Sequence, residues 1–126
     1  MKIPFVDLHP QYTECKKDID YAIKNIIQNS DFITGPTVEK FEQSICDYTG
    51  AEACASIGSG TNALVCALRA VGVDECDTVW TVGHTFVSTT EAIVNVGARP
   101  VFIDIDEHYH MDLEQVKEFN RRTISW

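Results

Sequence analysis

The stretch ACASIGSGTNALVCALRAVG, residues 53–72, decides the fold that the sequence predicts. Its first five residues, 53–57, form a short apolar run that predicts a β-strand. A glycine loop follows at residues 58–61, and apolar residues then recur at helical spacing up to Gly72, where a helix can end. A strand, a glycine loop and a helix in this order are typical of the α/β class of proteins.

The same cycle occurs twice more along the chain. Residues 78–82 predict a second strand, and the helix that follows it stops at Gly97. Residues 101–105 predict a third strand, and the next helix starts at Asp112, where Gln115 stands three residues on as in a capping box. This alternation predicts an incomplete parallel sheet whose strands are joined by right-handed crossover helices.

The two ends of the chain extend this α/β part. Residues 12–28 and 38–48 carry apolar side chains at helical spacing and predict two helices ahead of the first strand. Residues 123–126 predict the start of a fourth strand, and an unfinished strand leaves pairing groups exposed, so we expect a truncated chain. We therefore predict a helical arm over residues 1–50 and a partial α/β domain over residues 51–126.

The charge balance excludes some classes of partner. The 126 residues include 10 basic and 19 acidic side chains, and the resulting net charge of -9 disfavours nucleic acid and anionic membrane surfaces. The adjacent basic pairs, Lys16-Lys17 and Arg121-Arg122, lack interleaved aromatic residues and fit solvated faces better than a nucleic-acid surface. We expect neither nucleic acid nor a membrane as a partner.

Cysteine usage and the N-terminus bear on the cellular compartment. The five cysteines are an odd number without CxxC spacing, so the sequence indicates neither a disulfide framework nor a zinc site. The N-terminal residues lack the apolar run of a signal peptide, and no stretch approaches the roughly 18 apolar residues of a membrane span. We expect a cytoplasmic protein with reduced thiols.

The glycine loop is the strongest candidate for chemistry. Glycines allow a ligand to approach the backbone closely, and free N–H groups at a helix start favour a bound phosphate. The alternative is a tight turn that needs glycine only for its backbone angles. The sequence GSGTNA, residues 58–63, also satisfies the dinucleotide pattern G-x-G-x-x-A, but no acidic residue stands at the end of the second predicted strand to hold a ribose.

Two other kinds of site find less support. The segment His108-Tyr109-His110, among the acids Asp104, Asp106 and Asp112, could be imagined as a metal site, but an acid-rich loop after a strand is more often a solvated connection. Ser59 lies outside any GxSxG elbow, so a hydrolase triad is unsupported, and no GxxxxGK[ST] motif indicates a nucleoside triphosphate loop. We predict no metal site.

Several ordered blocks resemble the DegT/StrS family of pyridoxal-phosphate-dependent sugar aminotransferases from one end of the chain to the other. The blocks are PFVDL at residues 4–8, FITGP at 32–36, GSGTNAL at 58–64, HTFVST at 84–89 and GARPVFIDID at 97–106. This resemblance implies the N-terminal part of the large domain of a type I pyridoxal-phosphate-dependent transferase, preceded by two helices.

The resemblance also implies roles for three residues. Gly60 and Thr61 would hold the phosphate of pyridoxal 5'-phosphate, and Phe86 would stack on its pyridine ring. These positions follow the carboxyl ends of consecutive predicted strands, where ligands of open α/β sheets bind, and an aromatic face can pack on a flat cofactor. The alternative for Phe86 is an aromatic side chain that packs a helix.

The family reaction moves an amino group, typically from glutamate, onto a nucleotide-linked keto sugar, in a homodimer with shared active sites. In the resemblance, the Schiff-base lysine and the carboxylate that pairs with the pyridine nitrogen come from segments beyond Trp126. No catalytic residue is therefore assigned, and we expect the lone chain to be inactive. The unassigned lysines are Lys2, Lys16, Lys17, Lys24, Lys40 and Lys117.

Two alternatives stay open, and one departure from the family pattern is visible. The chain could belong to a pyridoxal-phosphate-dependent sugar dehydratase, or it could be a non-catalytic binding or dimerisation remnant. The departure is DECD at residues 74–77, where the family usually has glycine-aspartate-glutamate, and it is expected to change only a surface turn.

Overall fold

The structure, a computed structural model, describes residues 3–123, with side chains for residues 3–118. The chain divides into two compact units between Ser56 and Ile57. Five helices and two strands are formed within the described residues: α1 His9–Asn29, α2 Pro36–Thr49, α3 Gly60–Ala70, β1 Thr78–Val82, α4 Ser88–Asn95, β2 Arg99–Ile103 and α5 Leu113–Thr123.

The N-terminal unit contains the two predicted helices. At the start of α1 the carboxylate of Asp7 accepts a hydrogen bond from the N–H of His9 at 3.1 Å, which satisfies one of the unpaired donors of the first turn. Further along α1, Lys16 donates to Asp20 one turn away, and this bond, followed by one from Tyr12, lowers the pKa of the Asp20 carboxyl. Because both groups are exposed, the pair adds little stability.

The start of helix α2 is capped by a side chain that lies several residues before the helix. Its N-cap residue, Gly35, has no side chain, and the carboxylate of Asp31 accepts instead from the backbone N–H of Thr37 at 3.4 Å and from its hydroxyl at 2.7 Å. A Cβ atom at position 35 would lie 1.8 Å from Asp31 Oδ1, so glycine leaves the room that this carboxylate occupies. The helix ends at Gly50, as the sequence predicts.

The C-terminal unit is built on a parallel pair of strands. β1 and β2 pair in register from Thr78 with Arg99 to Val82 with Ile103, and α4 is the crossover between them. α4 packs against both strands and against α3. Among residues 57–118, the buried ones are Thr81, Ala92, Ile93, Ala98 and Ile103. The predicted α/β class, an incomplete parallel sheet with a crossover helix preceded by two helices, is confirmed.

Helix α4 reaches β2 through a turn that requires glycine. Gly97 has a φ of 93°, a conformation that residues with a Cβ rarely adopt. A Cβ atom there would also lie 3.2 Å from Cβ and 3.4 Å from Cα of Glu75. The turn therefore depends on glycine both for its backbone angle and for its close approach to Glu75.

The predicted strand over residues 53–57 is wrong. This segment pairs with no other strand among residues 3–123, and a strand exists only where a neighbour supplies its hydrogen bonds. One of its N–H groups, that of Ser56, donates instead to the carboxylate of Glu42 on α2 at 2.7 Å. An apolar run alone thus failed to predict a strand.

The third predicted strand is present but shifted. β2 covers Arg99–Ile103 rather than residues 101–105, because the register with β1 starts at Arg99. Ile105 forms an isolated antiparallel bridge with Met111 instead. Of the predicted fourth strand, Thr123 is the last residue of α5, and residues 124–126 lie outside the described residues.

The capping box predicted at the start of α5 is formed in a modified way. The carboxylate of Asp112 accepts from the N–H of Glu114 at 2.9 Å and from the side-chain amide of Gln115 at 3.0 Å, and these bonds lower the pKa of Asp112. The Gln115 side chain accepts from the N–H of Asp104 rather than from that of Asp112. Gln115 therefore ties the helix start to the end of β2.

All five cysteines are free thiols. No helix within residues 3–123 combines the length and the hydrophobicity that a bilayer crossing requires.

Candidate functional site

The first turn of α3 presents unpaired N–H groups. Ser59, extended at φ -158° and ψ 156°, is the N-cap residue, and its hydroxyl accepts from the N–H of Asn62 at 3.2 Å. The N–H groups of Gly60 and Thr61, which come first in the helix, find no acceptor within residues 3–123. Together with the positive end of the helix dipole, such groups favour an anion.

The glycines of this loop are not required by its backbone. Neither Gly58 nor Gly60 has a left-handed φ, and a Cβ atom at either position would meet nothing within 4 Å. Gly97 differs on both counts. A turn that needed glycine only for its backbone angles would show a positive φ, so backbone angles do not account for the glycines at positions 58 and 60.

Thr61 links this helix start to that of α4. Its hydroxyl donates to the hydroxyl of Ser88, the first residue of α4, at 2.9 Å, and the bond is partly buried. Phe86 lies two residues before Ser88 in the loop that follows β1, and its side chain is 76% exposed. The structure thus brings the glycine loop and the aromatic loop together and leaves the Phe86 side chain largely exposed.

A ring contact joins the loops that follow the two strands. His84, after β1, and Tyr109, after β2, have ring centroids 5.6 Å apart at an interplanar angle of 34°. Tyr109 holds a left-handed φ of 64°, which is uncommon for a residue with a large side chain. The sequence alone did not predict this pair, although the parallel order of the strands places both loops at the same edge of the sheet.

The acid-rich loop after β2 uses its acids for its own backbone. The carboxylate of Asp106 accepts from the N–H groups of His108 at 2.8 Å and His110 at 2.9 Å, which closes a tight turn. No three histidine, cysteine, aspartate or glutamate side chains gather into a possible metal site in the part of the chain that the structure describes. Of the acids considered for a metal site, Asp106 therefore closes this turn, while the carboxylate of Asp112 accepts from the first turn of α5.

The lysines that the structure describes lie away from these loops in the chain. Lys16, Lys17 and Lys24 belong to α1, and Lys40 belongs to α2. Lys117 lies on α5, where it pairs with Glu114 at 2.6 Å. The loop over residues 83–87 and the first turn of α3 contain no lysine.

Taken together, these features define an α/β protein in which α3 begins with unpaired N–H groups and the loop after β1 carries an exposed aromatic side chain. The model of the DegT/DnrJ/EryC1/StrS aminotransferase family matches residues 13–123. The chain belongs to this family.

Individual relatives agree with this assignment. The UDP-2-acetamido-2-deoxy-3-oxo-D-glucuronate aminotransferase of Pseudomonas aeruginosa is 39% identical over 111 residues, which are 87% of this chain and 31% of that protein. The crystal structure of a DegT/DnrJ/EryC1/StrS aminotransferase from Brucella abortus is 32% identical with a TM-score of 0.91, over 98% of this chain and 33% of its own.

A third comparison involves a structure solved with a reaction intermediate. The structure of S. venezuelae DesV in complex with a ketimine intermediate is 30% identical with a TM-score of 0.88, over 93% of this chain and 32% of its own. The chain therefore spans about a third of the length of the relatives it matches. The family predicted from the sequence is confirmed.

Proposed function

We propose that this chain supplies the cofactor-phosphate loop and the ring-stacking side chain of a pyridoxal-phosphate-dependent aminotransferase that acts on a nucleotide-linked keto sugar. The amino donor in this proposal is glutamate. The observation that carries the proposal is the hydrogen bond between Thr61 and Ser88, which joins an open helix start to the loop that bears the exposed ring of Phe86. The family match supports the same reaction class.

Gly60 and Thr61 bind the phosphate in this proposal. Their backbone N–H groups have no acceptor within the described residues, and no side chain at position 60 blocks the approach of a phosphate. A dianionic phosphate at this place also gains from the helix dipole of α3. These groups fit the anionic end of pyridoxal 5'-phosphate.

Phe86 orients the ring in this proposal. Its exposed aromatic face can lie against a flat heteroaromatic ring and exclude water from one side of it. When bound, the cofactor supplies an electron sink for moving the amino group. The residues of this chain bind and orient the cofactor, and we assign none of the lysines the covalent role, so we expect the 126 residues alone to be inactive.

The wider setting is part of the proposal. We propose a homodimer, as the resemblance implies, and a cytoplasmic location that keeps the five free thiols reduced. We also propose a helical arm over residues 1–50 and a cofactor-binding part over residues 51–126, a functional boundary that lies just before the division of the two compact units at Ser56. The acidic net charge of -9 agrees with a small-molecule substrate rather than a nucleic acid.

Binding of pyridoxamine 5'-phosphate to the 126-residue chain tests the proposal. This probe has no aldehyde, so it cannot react nonspecifically with lysines, and pyridoxamine is the matched probe without phosphate. We expect phosphorus NMR and titration calorimetry to show binding of pyridoxamine 5'-phosphate and little binding of pyridoxamine. Equal affinity for both probes, or binding of neither, would contradict the proposal.

Two variants separate the phosphate from the ring. Gly60→Val should abolish binding of both pyridoxamine 5'-phosphate and inorganic phosphate, because a side chain there would fill the open space that the proposal gives to the phosphate, while its Cβ atom meets nothing in the protein. Phe86→Ala should weaken binding of pyridoxamine 5'-phosphate roughly three- to tenfold and leave that of inorganic phosphate unchanged. Thr13→Val on α1, whose hydroxyl bonds only its own helix, is the control. Unchanged affinity for pyridoxamine 5'-phosphate in both Gly60→Val and Phe86→Ala would show that the glycine loop is only a turn.

A further inference from the structure

The hydroxyl of Thr61 is already engaged in the structure. A hydroxyl has one proton to donate and two lone pairs to accept with, and Thr61 donates its proton to the oxygen of Ser88 at 2.9 Å. In that orientation Thr61 offers only lone pairs to a neighbouring anion. A phosphate next to it would gain no hydrogen bond from this side chain.

The hydroxyl proton of Ser88 can free the proton of Thr61 for a phosphate. This Ser88 proton has no acceptor within residues 3–123, so Ser88 can turn and donate to Thr61. As placed, the geometry suits donation by Thr61, and once the Ser88 hydroxyl has turned, the same oxygen–oxygen distance of 2.9 Å suits donation by Ser88. Thr61 is then left with its proton directed outward.

The surroundings of the Thr61–Ser88 hydrogen bond favour its reversal when an anion binds. The Thr61–Ser88 bond is partly buried, so it is screened less than an exposed bond. Hydrogen bonds in a chain that ends on a charged acceptor strengthen one another. Ser88 is also the first residue of α4, while Thr61 is in the first turn of α3, so two helix starts meet at this bond.

We propose that Ser88 is a positioning residue for the cofactor phosphate. When a phosphate binds, the Ser88 hydroxyl reverses its hydrogen bond and donates to Thr61, and Thr61 donates to a phosphate oxygen. No covalent bond changes. This proposal rests on the proposed function, since it requires a phosphate at the start of α3.

A double-mutant cycle on the 126-residue chain tests it. The affinity for pyridoxamine 5'-phosphate is measured for the wild type, Ser88→Ala, Thr61→Val and the double variant, with helix content checked by circular dichroism. We expect Ser88→Ala to weaken binding roughly three- to tenfold and Thr61→Val about ten- to a hundredfold. In the Thr61→Val background, Ser88→Ala should have no further effect, because there is no longer a hydroxyl to position.

Ser88→Thr is the conservative control. It keeps a hydroxyl at the first position of α4, so it should retain an affinity close to that of the wild type. A merely structural role of Ser88 would move helix content or stability equally in both backgrounds, without coupling to Thr61 in the binding data.

The outcomes separate this inference from the proposed function. Independent effects of the two substitutions would show that Ser88 contacts the phosphate by itself and would overturn the inference alone. Unchanged affinity in Ser88→Ala would also overturn it alone. Failure of the wild type to bind pyridoxamine 5'-phosphate would overturn both.

Discussion

At the scale of single residues, the glycines of this chain serve two different purposes. Gly97 has a left-handed φ of 93° and its α-carbon lies against Glu75, so the fold itself requires glycine there. Gly60 and Gly83 have ordinary backbone angles and open space around them, so the fold does not. All three positions are glycine, so the sequence alone does not distinguish the two purposes.

This contrast predicts the stability of two matched variants. Gly97→Ala should lower the free energy of unfolding by about 1–2 kcal/mol, because a Cβ atom strains the left-handed backbone and meets Glu75. Gly83→Ala should stay within about 0.5 kcal/mol of the wild type, since its Cβ atom meets nothing. Urea unfolding followed by circular dichroism measures both. Equal losses in the two variants would contradict this account of Gly97.

The candidate site was only partly predictable from the sequence. Gly60, Thr61 and Phe86 could be singled out because residues 58–64 and 84–89 resemble blocks of the family, and the resemblance implies these three roles. The contacts of Thr61 with Ser88 and of His84 with Tyr109 could not, because they depend on how side chains from separate loops meet. Assignment of a ligand to these residues remains a prediction.

At the scale of elements, features with local signals could be predicted from the sequence. These features are the strand over residues 78–82 and the helix ends at Gly50, Gly72 and Gly97. The strand predicted over residues 53–57 failed because pairing is a property of two segments, and a sequence pattern describes only one. The shift of β2 has the same cause, since its register is set by β1.

The start of α5 predicts a pH dependence. The pKa of Asp112 is lowered by hydrogen bonds from the N–H of Glu114 and the side chain of Gln115, so the carboxylate stabilises the folded helix start. A carboxyl whose folded pKa is lowered contributes fully above its unfolded pKa, and the contribution is lost as the pH falls through the folded value. We expect the first turn of α5 to lose helix content below about pH 4.

Carbon chemical shifts of residues 113–118, followed by NMR during an acid titration, measure this loss. Asp112→Asn is the matched variant, because asparagine can still cap a helix but does not titrate. Its helix start should be insensitive to acid over the same range. An identical acid response in both proteins would assign the change to other carboxyl groups and contradict the role of Asp112.

At the scale of the whole molecule, the sheet is small and its edges are open. β1 and β2 pair only with each other in the residues the structure describes, so each has an unpaired edge. A two-stranded sheet is marginal alone, and unpaired edges are sites where another chain can add. Phe102, near the end of β2, is 56% exposed and adds apolar surface to the same strand.

We therefore expect the 126-residue chain to self-associate through its strands. In sedimentation velocity, the average sedimentation coefficient should rise with protein concentration. Phe102→Lys should reduce this rise, because a charged side chain on an edge strand opposes the addition of a further chain. Phe41→Lys is a close control, since Phe41 is 57% exposed but lies on α2 rather than on a strand. If Phe41→Lys reduced the association and Phe102→Lys did not, the helices of the N-terminal unit would be the associating surface. A sedimentation coefficient independent of concentration would contradict association altogether.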